Sequence, residues 1–429
     1  MKPWCLVARL GGIGDNLMAS SILPLLAETH NVEVMAQAPQ HVLFENNPHV
    51  SKLTVRKAGD LPADGNQWQA WFAHRGAEYD KWIHLSHSCE TMLALVPGQT
   101  QFYWPAAWRR RWCGVNYLEF IHDIAGVRHE FNPRFYPTEE EVQHAANTLA
   151  KVRGAGGYHF VVGIALAGSR LDKIWPYLPL LVAKLVRELH VAVVMFGAEG
   201  EARIAKHVQD FVFEFNGSYD GIHAAISPDP DKPTWPIRRS LATLQQCDLV
   251  ITPDTGLAWG VAMEAMPKIM LLSHASPENI TKHWVNTLTL HAHQPRVDCW
   301  PCHQLHDVVD TCRKAENANA SACIADIGHE EVLIAARAAL EEQQNGRHRG
   351  LLGEGHAGLV AEHPGGDAPG GMERRLVPRH PLVRLGVGDR NRIWDDATVA
   401  VDGSGSVASG VGEQHQCDDV RPGAVVGDD

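Results

Sequence analysis

The sequence predicts an α/β protein made of two doubly wound parallel units facing a cleft, followed by a Gly-rich tail. Three observations predict it. Apolar runs of strand length alternate with amphipathic helical stretches, and the alternation occurs twice. Runs such as HFVVGIALAG and VAVVMFGA are apolar without a break, as strands covered on both faces are. At 429 residues the chain is too long for one ordinary core.

In the first unit, residues 1–150, strands are expected at 4–10, 32–36, 53–55 and 82–86, with a helix over 16–28 after the first. Thr138 and Glu141 form a capping box that opens the helix joining the units, and the glycines from Gly154 to Gly157 end it. In the second unit, residues 151–343, strands are expected at 160–165, 191–196, 249–252, 269–272 and 288–290. Helices are expected there at 180–189, 199–213, 237–246, 255–266 and 330–343. The tail, 344–429, differs in kind. Residues 345–429 hold 17 of the 38 glycines and contain no Lys, Phe or Tyr. Such a composition buries too little apolar surface to offset chain entropy, so disorder is expected. Short β-turns in GVGDRNRIW and AVVGDD, and a reading-frame error near Gly346, are the alternatives.

Composition narrows the class of function. A hydrophobic share of 45% with 21% charged residues is that of a soluble globular protein. A formal charge of −12 argues against a nucleic-acid partner. No apolar run is long enough to span a membrane. The opening MKPWCLVARLGG lacks the long apolar region and cleavage site of a signal peptide, so it reads as a first strand and the protein as cytoplasmic.

Four stretches carry chemistry. In LGGIGDN, Gly12 and Gly14 match the start of a dinucleotide fingerprint, but Leu17 stands where the third glycine belongs. An acid directly after the glycines would repel a pyrophosphate. The turn therefore either presents Asp15 to the cleft or uses it as a helix cap. In ALAGSRLDKIWP, Gly168 and Ser169 offer hydrogen-bond donors at a strand's carboxyl end, and Arg170 and Lys173 add charge that suits a diphosphate. In FGAEGEARIA, Glu199 and Glu201 can accept from ribose hydroxyls or favour a helix N-terminus. In LVITPDTGLAWG, a turn at Asp254, Thr255 and Gly256 precedes a helix whose free N–H groups would hold an anion, while Asp254 accepts from sugar hydroxyls or caps the helix.

The order of GxGD, SRLDKIWP, GAEGE and PDTGLAW resembles glycosyltransferase family 9, the ADP-heptose–lipopolysaccharide heptosyltransferases, over roughly residues 1–340. The resemblance implies the GT-B fold, with the first unit taking a glycan acceptor and the second a nucleotide-sugar donor. It implies Asp15 as catalytic base of an inverting transfer, and Ser169 and Lys173 on the donor diphosphate, with Lys173 neutralising the leaving group. It implies Glu201 on the ribose and Asp254, Thr255 and Gly256 as the donor-binding turn. Where the family has His, three residues after that Gly, this chain has Trp259. No cofactor is required by such a reaction. The rival classes are a nucleotide-sugar-binding protein without catalysis and an NAD-dependent oxidoreductase.

Two features remain. Four of nine cysteines, Cys299, Cys302, Cys312 and Cys323, begin with a CxxC pair and could hold structural zinc or iron, with His303 and His306 as alternative ligands. Some members of the resembled family carry a similar cysteine pattern. Reduced thiols or a disulfide are the alternative. In YWPAAWRRRWCGVNY, the helical spacing of Trp108 and Trp112 predicts core packing. An acceptor surface with peripheral membrane contact is the other reading, in which Arg109, Arg110 and Arg111 meet acceptor phosphates.

Overall fold

The computed structural model describes residues 2–62, 67–168, 170–227, 234–306, 312–316 and 318–352. Ser169 and the tail beyond residue 352, with the disorder, turns or frame error expected of it, lie outside the described residues.

The first unit is built on β1 (Trp4–Arg9), β2 (Asn31–Gln37), β3 (Lys52–Arg56) and β4 (Lys81–His84). They form an all-parallel sheet in the order β3-β2-β1-β4. β1 and β2 are apolar and almost wholly buried, as central parallel strands are. The helix expected over 16–28 is two helices, α1 (Ile13–Ser20) and α2 (Leu23–Ala27). Pro24 lacks an N–H and sits in the first turn of α2, so a new helix starts there rather than the old one continuing. The break falls at Ser21, which is fully buried, and its Oγ accepts from Asn132 N–H and meets His122 Nε2 at 2.9 Å.

Between β2 and the second unit lie α3 (Trp68–Gly76), α4 (Ser88–Met92), α5 (Ala106–Trp112) and α6 (Tyr117–Ala125). The Asn116 side chain caps α6 by accepting from Leu118 and Glu119 N–H, and Gly126 ends it at φ 63°. The expected capping box opens α7 (Glu139–Gly156): Thr138 Oγ1 accepts from Glu141 N–H and the Glu141 carboxylate accepts from Thr138 N–H. The boundary expected at residue 150 falls within α7, which is tied to the second unit through Arg153 Nη2 and Asp248 Oδ2 at 2.8 Å.

The second unit contains β5 (Val161–Ala165), α8 (Leu178–Leu189), β6 (Ala192–Phe196), α9 (Ala202–Asn216), β7 (Ile222–Ala224) and α10 (Ile237–Leu244). It continues through β8 (Leu249–Pro253), α11 (Gly256–Trp259), β9 (Lys268–Leu272) and β10 (Thr287–His291). A small hairpin of β11 (Lys314–Ala315) and β12 (Ala318–Ser321) leads to α12 (Ala322–Ala325) and α13 (His329–Leu352). Its parallel sheet has the order β10-β9-β8-β5-β6-β7. The helix expected over 255–266 is a single turn, α11. The chain then runs through successive i→i−3 bonds, Gly260 N–H to Leu257 O, Val261 to Ala258 and Glu264 to Val261. Gly260 allows a close approach here: a Cβ would stand 2.3 Å from Leu241 Cδ2, so the backbone presses on α10.

The units are bolted together at two ends of the cleft. Arg238 of α10 clamps the Glu141 carboxylate through Nε and Nη2, each at 2.7 Å, and donates to Val42 O at 2.7 Å. At the other end, Leu95 N–H donates to His303 O, Leu305 N–H donates to Leu95 O, and Arg109 Nε donates to Cys302 O, all at 2.8 Å. No helix among the described residues is long and apolar enough to cross a membrane.

Candidate active site

In open parallel sheets, ligands bind beyond the strand carboxyl ends where the strand order reverses. The first sheet reverses between β1 and β4, the second between β5 and β8. The four chemistry-bearing stretches therefore fall at or beside the two reversal points.

The β1–α1 turn is shaped by Gly11, at φ 137°, a conformation open to glycine. Asp15 stands in the first turn of α1, and its Oδ2 accepts from Gly12 N–H at 2.9 Å. Its Oδ1 meets Arg9 Nη2 at 2.6 Å. Arg9 is buried and also donates to Leu85 O at 2.8 Å, whereas 22% of the Asp15 side chain remains exposed. Asp15 thus serves its own helix from the third helical position, with Gly12 as the cap residue, and its side chain stays partly open. His87, at φ 60°, lies in the field of this pair; burial lowers its pKa, Arg9 adds to the fall and Asp15 opposes it.

Gly14 has a different role from a phosphate cradle. A Cβ there would meet Trp259 Cδ1 at 3.0 Å, and a Cβ on Gly256 would meet Ile13 Cβ at 2.6 Å. The N-termini of α1 and α11 press together across the cleft, and two residues without side chains make that approach possible. Trp259, the departure from the family pattern, is 3% exposed and set edge-on to Trp284 at 4.9 Å between ring centres. It fills space between the units.

At the second reversal point Lys173 Nζ donates to Asp254 Oδ2 at 2.8 Å, and both side chains are 10% exposed. Burial would raise the Asp254 pKa; Lys173 and His274 outweigh it and hold the carboxyl below its usual range. Gly168 packs directly on this pair, since a Cβ would stand 2.5 Å from Lys173 Cδ. Thr255 caps α11 by accepting from Ala258 N–H at 3.3 Å, so that donor is already used.

Glu201 folds back on its own turn, accepting from Ala198 N–H at 2.8 Å. Burial pushes its carboxyl up to about 8, partly offset by that hydrogen bond. Glu199 opens the same turn, the 3-10 segment Glu199–Glu201.

Sequence reasoning missed a buried group beside Lys173. Asp172 is 1% exposed and accepts from Ser273 Oγ at 3.1 Å and from His306 N–H at 3.2 Å, while His274 Nδ1 stands 3.5 Å away. His274 Nε2 has no hydrogen-bond partner among the described residues. A signal existed: an aspartate flanked by Leu171, Ile174 and Trp175 on a turn entering the core requires partners.

Among the described residues, no group of three or more His, Cys, Asp or Glu side chains is placed to hold an ion. Cys299, Cys302, Cys312 and Cys323 are free cysteines rather than disulfides. Burial pushes all four thiols up, and Cys302, Cys312 and Cys323 each feel others of the set, Cys299 among them, so the four share one neighbourhood. His303, the alternative ligand, is 1% exposed and burial lowers it to about 3. Core packing of Trp108 and Trp112 is also corrected: they are 58% and 55% exposed. The side chain between them in the helix, Arg109, turns inward instead, drawn by the carbonyls of Phe102, Trp104 and Cys302.

No family model and no curated protein matches this sequence. Solved structures do match in fold. A glycosyl transferase family 9 protein from Veillonella parvula is 14% identical with a TM-score of 0.57, covering 80% of this chain and 98% of that one. The ADP-heptose lipopolysaccharide heptosyltransferase II of E. coli is 15% identical with a TM-score of 0.52, covering 80% of this chain and all of that one, 100%. At such identity the likeness shows the fold: this is a two-unit α/β chain of the GT-B type, as expected from the sequence.

Proposed function

We propose that the protein is a glycosyltransferase that moves a sugar from a nucleotide-diphosphate donor, ADP-heptose, to a hydroxyl of a lipopolysaccharide or other glycan acceptor. The observation that carries this reading is the meeting of the two sheet-reversal points, where the Asp15 turn abuts the turn of Asp254, Thr255 and Gly256. The first unit, 1–150, takes the acceptor and the second, 151–343, the donor. Asp15 accepts the proton of the acceptor hydroxyl as that oxygen bonds the anomeric carbon, and the diphosphate departs from the opposite face, inverting the centre. Lys173, with Gly168 packed against it and Ser169 next in the sequence, neutralises the charge gathering on the diphosphate. Because Lys173 is already paired with Asp254, donor entry exchanges one anion for another at its ammonium and releases Asp254 toward the sugar hydroxyls. Glu201 holds the ribose, and Trp259 bounds the pocket from the side of α11.

Transfer from ADP-heptose to truncated lipopolysaccharide tests this reading. Asp15→Asn lowers kcat by about 10²-fold or more while leaving the donor KM unchanged. One specific observation favours a second reading, a nucleotide-sugar-binding protein: both Asp15 oxygens are already engaged, by Arg9 and by Gly12 N–H. Under it, donor binds and Asp15→Asn changes nothing.

A further inference from the structure

Residues 91–118 contain three arginines and no Asp or Glu, in a chain whose formal charge is −12. The same stretch carries an aromatic run, and the fold turns one side of it to solvent. Trp104, Trp108 and Trp112 recur at every fourth position, with the Trp104 and Trp108 rings 6.3 Å apart. Tyr103, at 70% exposed, stands among the open side chains at the start of this face. The opposite side of α5 is fixed to the second unit: Arg109 Nε donates to Cys302 O at 2.8 Å and Arg110 Nε to Pro301 O at 3.4 Å. α5 therefore cannot roll to bury its indoles without giving up those bonds. Arg111 stays on the open side, its guanidinium 5.5 Å from the centre of the Trp112 ring.

Large half-exposed indoles and a phenol beside the Arg111 guanidinium suit the boundary between water and lipid. There the rings sit at headgroup depth with their N–H and O–H groups wet, and the cations meet phosphate. We propose that this face, Tyr103, Trp108, Arg111 and Trp112, docks the protein on an anionic lipid surface. A second copy fits it less well, since a symmetric contact would set Arg111 against its own counterpart. Docking here is peripheral. It also bears on the cleft: the loop held by α5 continues to His306, whose N–H donates to Asp172 beside Lys173. A lipid-borne acceptor would thus arrive next to the site, although docking stands whatever reaction the site performs.

The test is flotation of the full chain with vesicles of phosphatidylcholine, with and without phosphatidylglycerol. The parent floats with the anionic vesicles only, and added salt releases it. Arg111→Glu, a change of two charges at about 1 kcal/mol each near the surface, and the double variant Trp108→Ala with Trp112→Ala each reduce the bound fraction by about tenfold or more. Both variants keep the parent's circular dichroism and Tm, since the changed side chains are open to solvent. Absence of flotation, equal flotation on uncharged vesicles, or an undiminished bound fraction in the double variant overturns the proposal. So does a lipid-free dimer that the double variant abolishes, which gives the face to a second copy.

Discussion

The two turns that meet across the cleft carry the same kind of chemistry in opposite states of readiness. Each holds an acid against a base. In the first unit the base is Arg9, sunk in the sheet and bonded to a backbone carbonyl, while its acid Asp15 is partly open. In the second both partners, Lys173 and Asp254, are buried together. The difference sets what each turn can do. A guanidinium tied to backbone holds Asp15 at a fixed position, which under the proposed function readies it for a hydroxyl. An ammonium on a flexible stem can be drawn from Asp254 to an arriving diphosphate. Under the proposed function the first turn is set in advance and the second rearranges.

The largest effect expected from this comparison is on stability. Lys173→Ala leaves Asp254 buried without its closest cation, costing about 3–5 kcal/mol in urea unfolding. Lys173→Met combined with Asp254→Asn recovers most of that loss and still fails to bind donor. A double variant no more stable than the single one would break the assignment of the pair. Next comes the contact between the turns. Gly256→Ala drives a methyl into Ile13 and costs about 1–3 kcal/mol by crowding. A cost near zero would show the two turns apart in solution.

A pH-dependent effect sharpens the contrast through a third acid, Glu201, which is held by a backbone N–H. In the folded chain it keeps its proton to about pH 8, whereas unfolded it ionises near 4.5. The folded state binds more protons across that interval, so this group lowers stability as pH rises through it. Glu201→Gln flattens the fall and is more stable than the parent above pH 8, as unfolding at both ends of the interval would show.

The sheets were legible because parallel strands advertise themselves as unbroken apolar runs. β5 and β6 lie within a residue of their expected bounds. Thr138 and Glu141 were legible for a local reason, since a capping box is complete within four positions. What distance in sequence hides was not. Asp172 depends on Ser273, His274 and His306, more than 100 residues away. Arg9 was within reach: an arginine ending a buried strand needs an anion, and Asp15 follows closely. The truncation of the helix after Thr255 accompanies a tertiary contact, Gly260 against Leu241, and the outward turn of Trp108 and Trp112 was set by another, Arg109 against Cys302. Periodicity alone does not contain them.

The most direct test is calorimetric titration of the full chain with ADP, UDP, GDP and NAD, repeated on Lys173→Gln and Asp15→Asn, with Tm confirming that each variant folds. The account predicts that ADP binds, that Lys173→Gln weakens it by about tenfold or more through loss of a charged contact, and that Asp15→Asn leaves it unchanged. Binding of NAD alone, no binding of any nucleotide, or equal weakening by both substitutions would contradict a donor site in the second unit with its base waiting in the first.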